Sequence, residues 1–249
     1  MTSTAAPSHT LRAPRRRTHG PAAGERVGAL AGVLGATGLV VAACILASTP
    51  SVNAAPAQVR HHLDSHSAVM MASAYATVIG GLLLVPFLAS LRTFTARRRA
   101  VGPWRRTFTL VAGAIGIAML SLAGALLATA TLLAHRSYAD EAVFAVFVAA
   151  KLLATLALLP VAALVLANAR TIAKDQRRPD RWLIRFDIQI AVIAVVASIG
   201  SFVDQEWLTP GEAVAAAAWL LVSLWVVALA RTIARGDRTT LSEEHHEYR

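Results

Sequence analysis

The sequence predicts an all-α membrane protein, a polytopic bundle of six transmembrane helices, on three observations. Hydrophobic residues make up 56% of the 249 and charged residues only 15%, where a soluble domain carries about a quarter charged. The apolar residues fall into six long blocks instead of recurring at a period of 3.6 or 2, and a nearly uncharged block of about 18 or more residues reads as a membrane span. The basic residues gather in alternate connections between these blocks. Mean hydropathy is +0.55.

Residues 1–26 are polar and rich in Pro, Ala and Ser, and they carry Arg12, Arg15, Arg16, Arg17 and Arg26. This basic N-terminal stretch is expected to be disordered. A transmembrane domain follows over 27–231, with helices at about 27–47, 68–91, 108–134, 142–169, 183–203 and 213–230. Each block is long enough to cross a core of about 30 Å at about 1.5 Å per residue. A lipid-exposed segment must satisfy its own backbone hydrogen bonds, so each is helical. The connections are short, the longest being 48–67, and none holds a soluble domain. Residues 232–249 form a tail.

Arg and Lys count out the orientation. The N-terminus, the second and fourth connections and the tail hold 21 of the 24 basic residues, whereas the other side has only Arg60 and Arg136. Positive charge in short loops marks the cytoplasm, so both termini are expected inside, in the cell membrane. Trp104, Trp182 and Trp207 flank spans at head-group level. Pro86 and Pro160 fall inside the second and fourth spans and should kink them.

Three spans end alike: Leu88-Ala-Ser-Leu-Arg92-Thr93, Leu166-Ala-Asn-Ala-Arg170-Thr171 and Val227-Ala-Leu-Ala-Arg231-Thr232. These ends suggest three parallel helical hairpins, or else only the shared habit of Ala-rich helices leaving on the positive side. Gly28, Gly32 and Gly35, then Ala72, Ala76 and Gly80, then Gly113, Gly116 and Gly124 are spaced for close helix approach. Packing within the bundle is the expected use, with a dimer interface as the alternative.

Few residues bear chemistry. Lys151 lies about 13 Å into the fourth span by helical rise, where an isolated charge costs a few kcal/mol. It is the candidate intramembrane functional residue, as an anion or proton site, with Thr155 one turn away. Asp64 and Asp204 are the expected counter-charges. The competing reading is a lysine whose stem reaches the head groups. In the first outer loop, His62 and His66 share a helical face, and with Asp64 they form a weak candidate metal set that His135 is placed to approach. Asp187, in the first turns of the fifth span, reads as an interfacial charge favoured by the helix dipole. Cys44, the single cysteine, closes a loose Val41-Ala-Ala-Cys44 lipidation box, but Ile-Leu-Ala follows where polar residues are usual. No GK[ST] phosphate loop, His-Glu-x-x-His or Gly-x-Ser-x-Gly occurs. No cofactor is implied, and no enzyme activity is expected.

A net charge of +10 invites a nucleic-acid reading. The charges, however, sit in short loops between spans, where their phosphate partners are anionic lipid head groups. The scarcity of Lys (Lys151 and Lys174 only) and the abundance of Ala indicate a high-GC, bacterial genome. The stretch 56–235 resembles a group of uncharacterised six-helix bacterial membrane proteins, of the domain-of-unknown-function 4386 type. The likeness rests on Asp64-Ser-His66, Leu88-Ala-Ser-Leu-Arg92, Arg178-Pro-Asp-Arg-Trp182-Leu, Thr209-Pro210 and Leu224-Trp225. It implies a six-helix fold and no established activity. The expected function is that of a non-enzymatic membrane partner or structural protein. The alternatives are a small permease for an anionic or amphipathic molecule, and a redox or metal-binding subunit using the outer histidines.

Overall fold

The computed structural model describes residues 23–97, 103–136, 138–173, 181–200 and 211–235. Most of the predicted disordered N-terminus, the tail beyond 235, and Asp204 and Trp207 lie outside them. The described residues are all-α, without strands. The helices are α1 (Ala23–Ala47), α2 (Pro56–Ser65), α3 (Ser67–Arg97), α4 (Pro103–His135), α5 (Asp140–Leu156), α6 (Leu158–Ala173), α7 (Arg181–Gly200) and α8 (Gly211–Arg235). Five segments are long and apolar enough to cross a membrane: Gly24–Ala47, Ser67–Ala96, Thr107–His135, Asp140–Ala169 and Ala213–Ala234.

The long helices close a ring. α1 packs on α3, α3 on α4, and α4 on both α5 and α6; α6 packs on α7, α7 on α8, and α8 returns to α1. The ring centre is filled by side chains such as Phe87, Leu158, Ile190 and Trp225, all 2% exposed or less. The side chains left outside are apolar. On α1 they are Val27, Leu30, Leu34 and Val41, at 48–63% exposure. A helix apolar on both its inner and its outer face belongs in lipid.

The glycine stripe of α1 is used inside the bundle. A Cβ on Gly35 would lie 2.7 Å from the Gly80 carbonyl oxygen, and one on Gly28 would lie 2.6 Å from that of Pro86. The two backbones run antiparallel in near contact, which only glycine permits here. Gly113 and Gly124 of α4 serve the same purpose against Leu88 and Ala74 of α3.

Two elements depart from expectation. The first outer loop, read as a plain connection, contains α2. Its N-terminus is set by Pro56 at the first helical position, after the extended Ala55. Val59 and Leu63, one turn apart, are completely buried against Met70, Leu127, Val143 and Phe147. Full burial of such side chains is worth about 1.5–3 kcal/mol each. The Arg60–Asp140 ion pair at 2.8 Å is about one-third exposed on both sides, and such a pair contributes about 0–1 kcal/mol. Apolar burial therefore holds α2 in place.

The second is a sharper form of the kink expected at Pro160: the fourth apolar block, one candidate span over Asp140–Ala169, is two helices. Pro160 offers no N–H to the Leu156 carbonyl, and the helix breaks between Leu156 and Leu158. The Ala157 N–H still reaches Leu153 O at 3.0 Å. Ser198 Oγ of α7 donates across the break to Thr155 O at 3.2 Å and also approaches Ala194 O at 2.8 Å. Pro86, by contrast, lies within a continuous α3 of 31 residues.

Candidate functional site

The bundle carries a polar cluster at each end. The first lies where α2 covers α4 and α5. Lys151, eleven residues after Asp140, is 8% exposed. Its Nζ donates to Pro50 O at 2.7 Å and sits 4.9 Å from the centroid of the Phe147 ring. Pro50 follows the last turn of α1, whose end is closed by Ser48 and Thr49 hydroxyls donating to Ile45 O and Leu46 O, both at 2.7 Å. The lysine stem thus runs inside the protein and anchors the loop that leaves α1. The ammonium is also near the negative end of that helix, where a cation is favoured. Thr155 does not turn its hydroxyl to a ligand position beside Lys151: its Oγ1 donates to Lys151 O at 3.0 Å, one turn back along the same helix.

The outer histidines do come together. His62 and His66 stack with ring centroids 4.5 Å apart and an interplanar angle of 23°. Asp64 does not join them. One residue pair further round α2, its Oδ1 meets His135 Nδ1 at 3.1 Å. The approach of His135 is thus to Asp64 and not to the histidine pair. Stacked imidazoles present parallel faces, not lone pairs converging on one point. No group of three or more His, Cys, Asp or Glu placed to hold a metal occurs among the described residues. The residues expected as a metal set are thus placed as one stacked pair, His62 with His66, and one separate Asp64–His135 contact.

His62 Nε2 is buried without a hydrogen-bond partner. Burial, with the neighbouring positive groups of His66, Lys151 and His61, lowers the affinity of this imidazole for a proton below its ordinary value of 6.5. Between the lowered value and 6.5 the unfolded chain binds more protons than the folded one, so stability rises with pH there. The contribution of His62 is complete above about pH 6.5 and is lost as pH falls through the lowered value. Stability against thermal unfolding in detergent should therefore fall on acidification from about pH 6.5. The substitution His62→Phe, which keeps a stacking ring, should flatten that slope; an unchanged slope would remove His62 from the account.

The second cluster lies at the opposite end, near the last turns of α6 and α8 and the first turns of α7. Asp187 is completely buried. Its Oδ1 accepts from Trp225 Nε1 at 2.8 Å and its Oδ2 from Asn168 Nδ2 at 3.3 Å. Three helices each supply one member. The reading of Asp187 as an interfacial charge is overturned: the carboxyl points into the ring, and Ile188 and Val192 take the outer face. Signals for this cluster were present in the sequence. Trp225 lies inside the last apolar block and not beside it, and a buried indole needs an acceptor; Asn168 is the one amide in an otherwise apolar helical stretch. Only pairing across the fold connects them.

Gly28, Gly32, Gly35 and Gly38 of α1 face α3, and Cys44 is exposed within the unbroken α1. Compared with known protein-family models, curated proteins and solved structures, the chain has no match.

Proposed function

We propose that this chain is a six-span protein of the cell membrane, with both termini in the cytoplasm, acting as a non-enzymatic membrane partner or structural protein. The observation that carries the reading is the use made of Lys151. Lys151, the cation deep in a span, donates to Pro50 O and lies over the Phe147 ring, a placement that fastens the outer loop.

Support for a sixth span comes from α7. Ile188, Val192, Val196 and Ile199 form a continuous outward apolar stripe at 46–56% exposure, as on α1. With α7 in the membrane, Lys151, α2 and the histidines fall on the outer side, and the Arg-rich connections on the cytoplasmic side. The three similar Arg-Thr ends then belong to three hairpins, α1–α3, α4 with α5 and α6, and α7–α8. This topology also agrees with the six-helix group that the sequence resembles. The Arg-rich rim contacts anionic lipid head groups and is the surface open to a membrane-protein partner.

Two measurements test the reading. Photo-crosslinking residues placed at the exposed Arg92 and Arg231 positions in native membranes should give discrete adducts with another membrane protein. The substitution Lys151→Met should leave those adducts unchanged. It should also make the Ser48–Pro56 loop more protease-sensitive, with a stability loss of about 1–3 kcal/mol for one charge-assisted hydrogen bond. Lipid adducts alone, or solute flux in proteoliposomes abolished by Lys151→Met, would replace the partner reading with the permease one.

A further inference from the structure

Asp187 is an ionisable group in an apolar interior, with no cation paired to it among the described residues. Its two hydrogen bonds come from a neutral indole and a neutral amide. Arg185 of α7 and Arg231 of α8, on the packed helices, are both exposed. Lys151 of α5 is turned to the opposite end. At the same end, Glu25 of α1 is the other buried carboxyl. Ionisable residues inside membrane bundles are costly and mark ion or proton pathways.

The two partners differ in what they can do. The indole Nε1–H only donates, so it holds Oδ1 as an acceptor whatever the charge of the carboxyl. The amide of Asn168 has a donor end and an acceptor end of nearly equal shape. With Asp187 ionised, Nδ2–H donates to Oδ2, as in the structure. With a proton on Oδ2, a half-turn of the amide presents its carbonyl oxygen, and the new O–H donates to it. In both charge states Oδ2 then keeps a hydrogen-bond partner. The Asn168 contact, at 3.3 Å, is long for N–H···O, and the Trp225 bond, at 2.8 Å, is the shorter of the two.

We propose that Asp187 and Asn168 form a proton-binding site within the bundle, the carboxyl taking up and releasing the proton at Oδ2 and the amide reversing to follow it. One proton is exchanged with water, and no bond between heavy atoms is made or broken. Asp187 is six residues past Arg181, about 9 Å along α7, so exchange is with the aqueous phase at that end of the bundle. The proposal is independent of any partner at the rim.

The test is infrared difference spectroscopy on the full-length protein in phosphatidylcholine vesicles, stepped from about pH 9 to about pH 4, the range that buried carboxyls span. A carboxylic-acid C=O band should grow in on acidification and be lost in Asp187→Asn. A side-chain amide C=O change should share its midpoint. In Asn168→Leu the amide change should vanish, while the carboxyl band persists with a moved midpoint. Where Asp187→Asn does not fold, Asp187→Glu assigns the band by shifting it. No Asp187-dependent band in this range overturns the proposal. So does a titrating band with no Asn168 companion, since the amide would then not follow the proton.

Discussion

Gly35→Leu is expected to detach α1 from the bundle. The β-carbon alone would stand 2.7 Å from a backbone oxygen of Gly80, with Leu84 and Leu83 at 3.2 and 3.3 Å on its other sides. A carbonyl oxygen within α3 cannot swing away as a side chain can, so the helices must separate. Separation forfeits the close packing that holds helices together in lipid, where no hydrophobic force acts between them. Overpacking in a tight core costs about 1–3 kcal/mol. Here several further leucine atoms must also be placed, so a loss above about 3 kcal/mol is expected. The measurement is unfolding in mixed micelles, together with disulfide trapping of cysteines at positions 38 and 76, which should form in the parent and fail in the variant. Gly24→Leu is the control, since nothing lies within 4 Å of its Cβ position, and it should change stability by less than about 0.5 kcal/mol. Equal stability of the two variants would show that α1 and α3 do not meet at Gly35.

The second large effect is expected from Asp187→Ala. It leaves the Trp225 Nε1–H and the Asn168 amide buried without an acceptor. Each orphaned group costs about 1–3 kcal/mol, giving a loss of about 2–6 kcal/mol with the lost contacts at the junction of α6, α7 and α8. Asp187→Asn keeps an oxygen for Trp225 and an amide that can pair with Asn168, so it should cost no more than about 1.5 kcal/mol. The ratio between the two is more informative than either value. A carboxyl with only a space-filling role would lose almost nothing in Asp187→Asn and only a packing cost in Asp187→Ala, leaving the Trp225 environment unchanged in the former. Equilibrium unfolding followed by near-ultraviolet dichroism reads both the stability and the environment of Trp225.

The sequence carried the transmembrane helices well, because the signal for them is chemical and not geometric. Long uncharged blocks have one stable form in lipid, and the apolar segments of α1, α3, α4, α5 with α6, and α8 lie where those blocks lie. What was not legible depended on neighbours distant in the chain. α2 is a ten-residue helix of mixed composition, which stays helical because Val59 and Leu63 find Val143 and Phe147 about 80 residues later. The fate of Lys151 was set by Pro50, a backbone oxygen with no signature in any pattern. Asp64 was grouped with its sequence neighbours His62 and His66, but one step round a helix turned it to His135. Asp187 was misplaced for a related reason. Its position near a helix start looked superficial, while the rotation of α7 that points it inward is fixed by the apolar stripe on the other face.

The Lys151–Pro50 bond spans 101 residues and the Arg60–Asp140 pair spans 80. During synthesis, therefore, α1 and α3 have left the ribosome well before the segment that completes the outer surface exists. Over that interval α2 can bury its two apolar side chains only against Met70 of α3 and Leu127 of α4, and Pro50 lacks the ammonium that fastens it. Arrival of α5 supplies the Val143–Phe147 floor, the partner for Arg60 and the ammonium for Pro50 together. The cap over this end of the bundle is therefore completed last: a chain truncated before residue 151 should hold the 48–55 loop less tightly than the full one, as limited proteolysis would read.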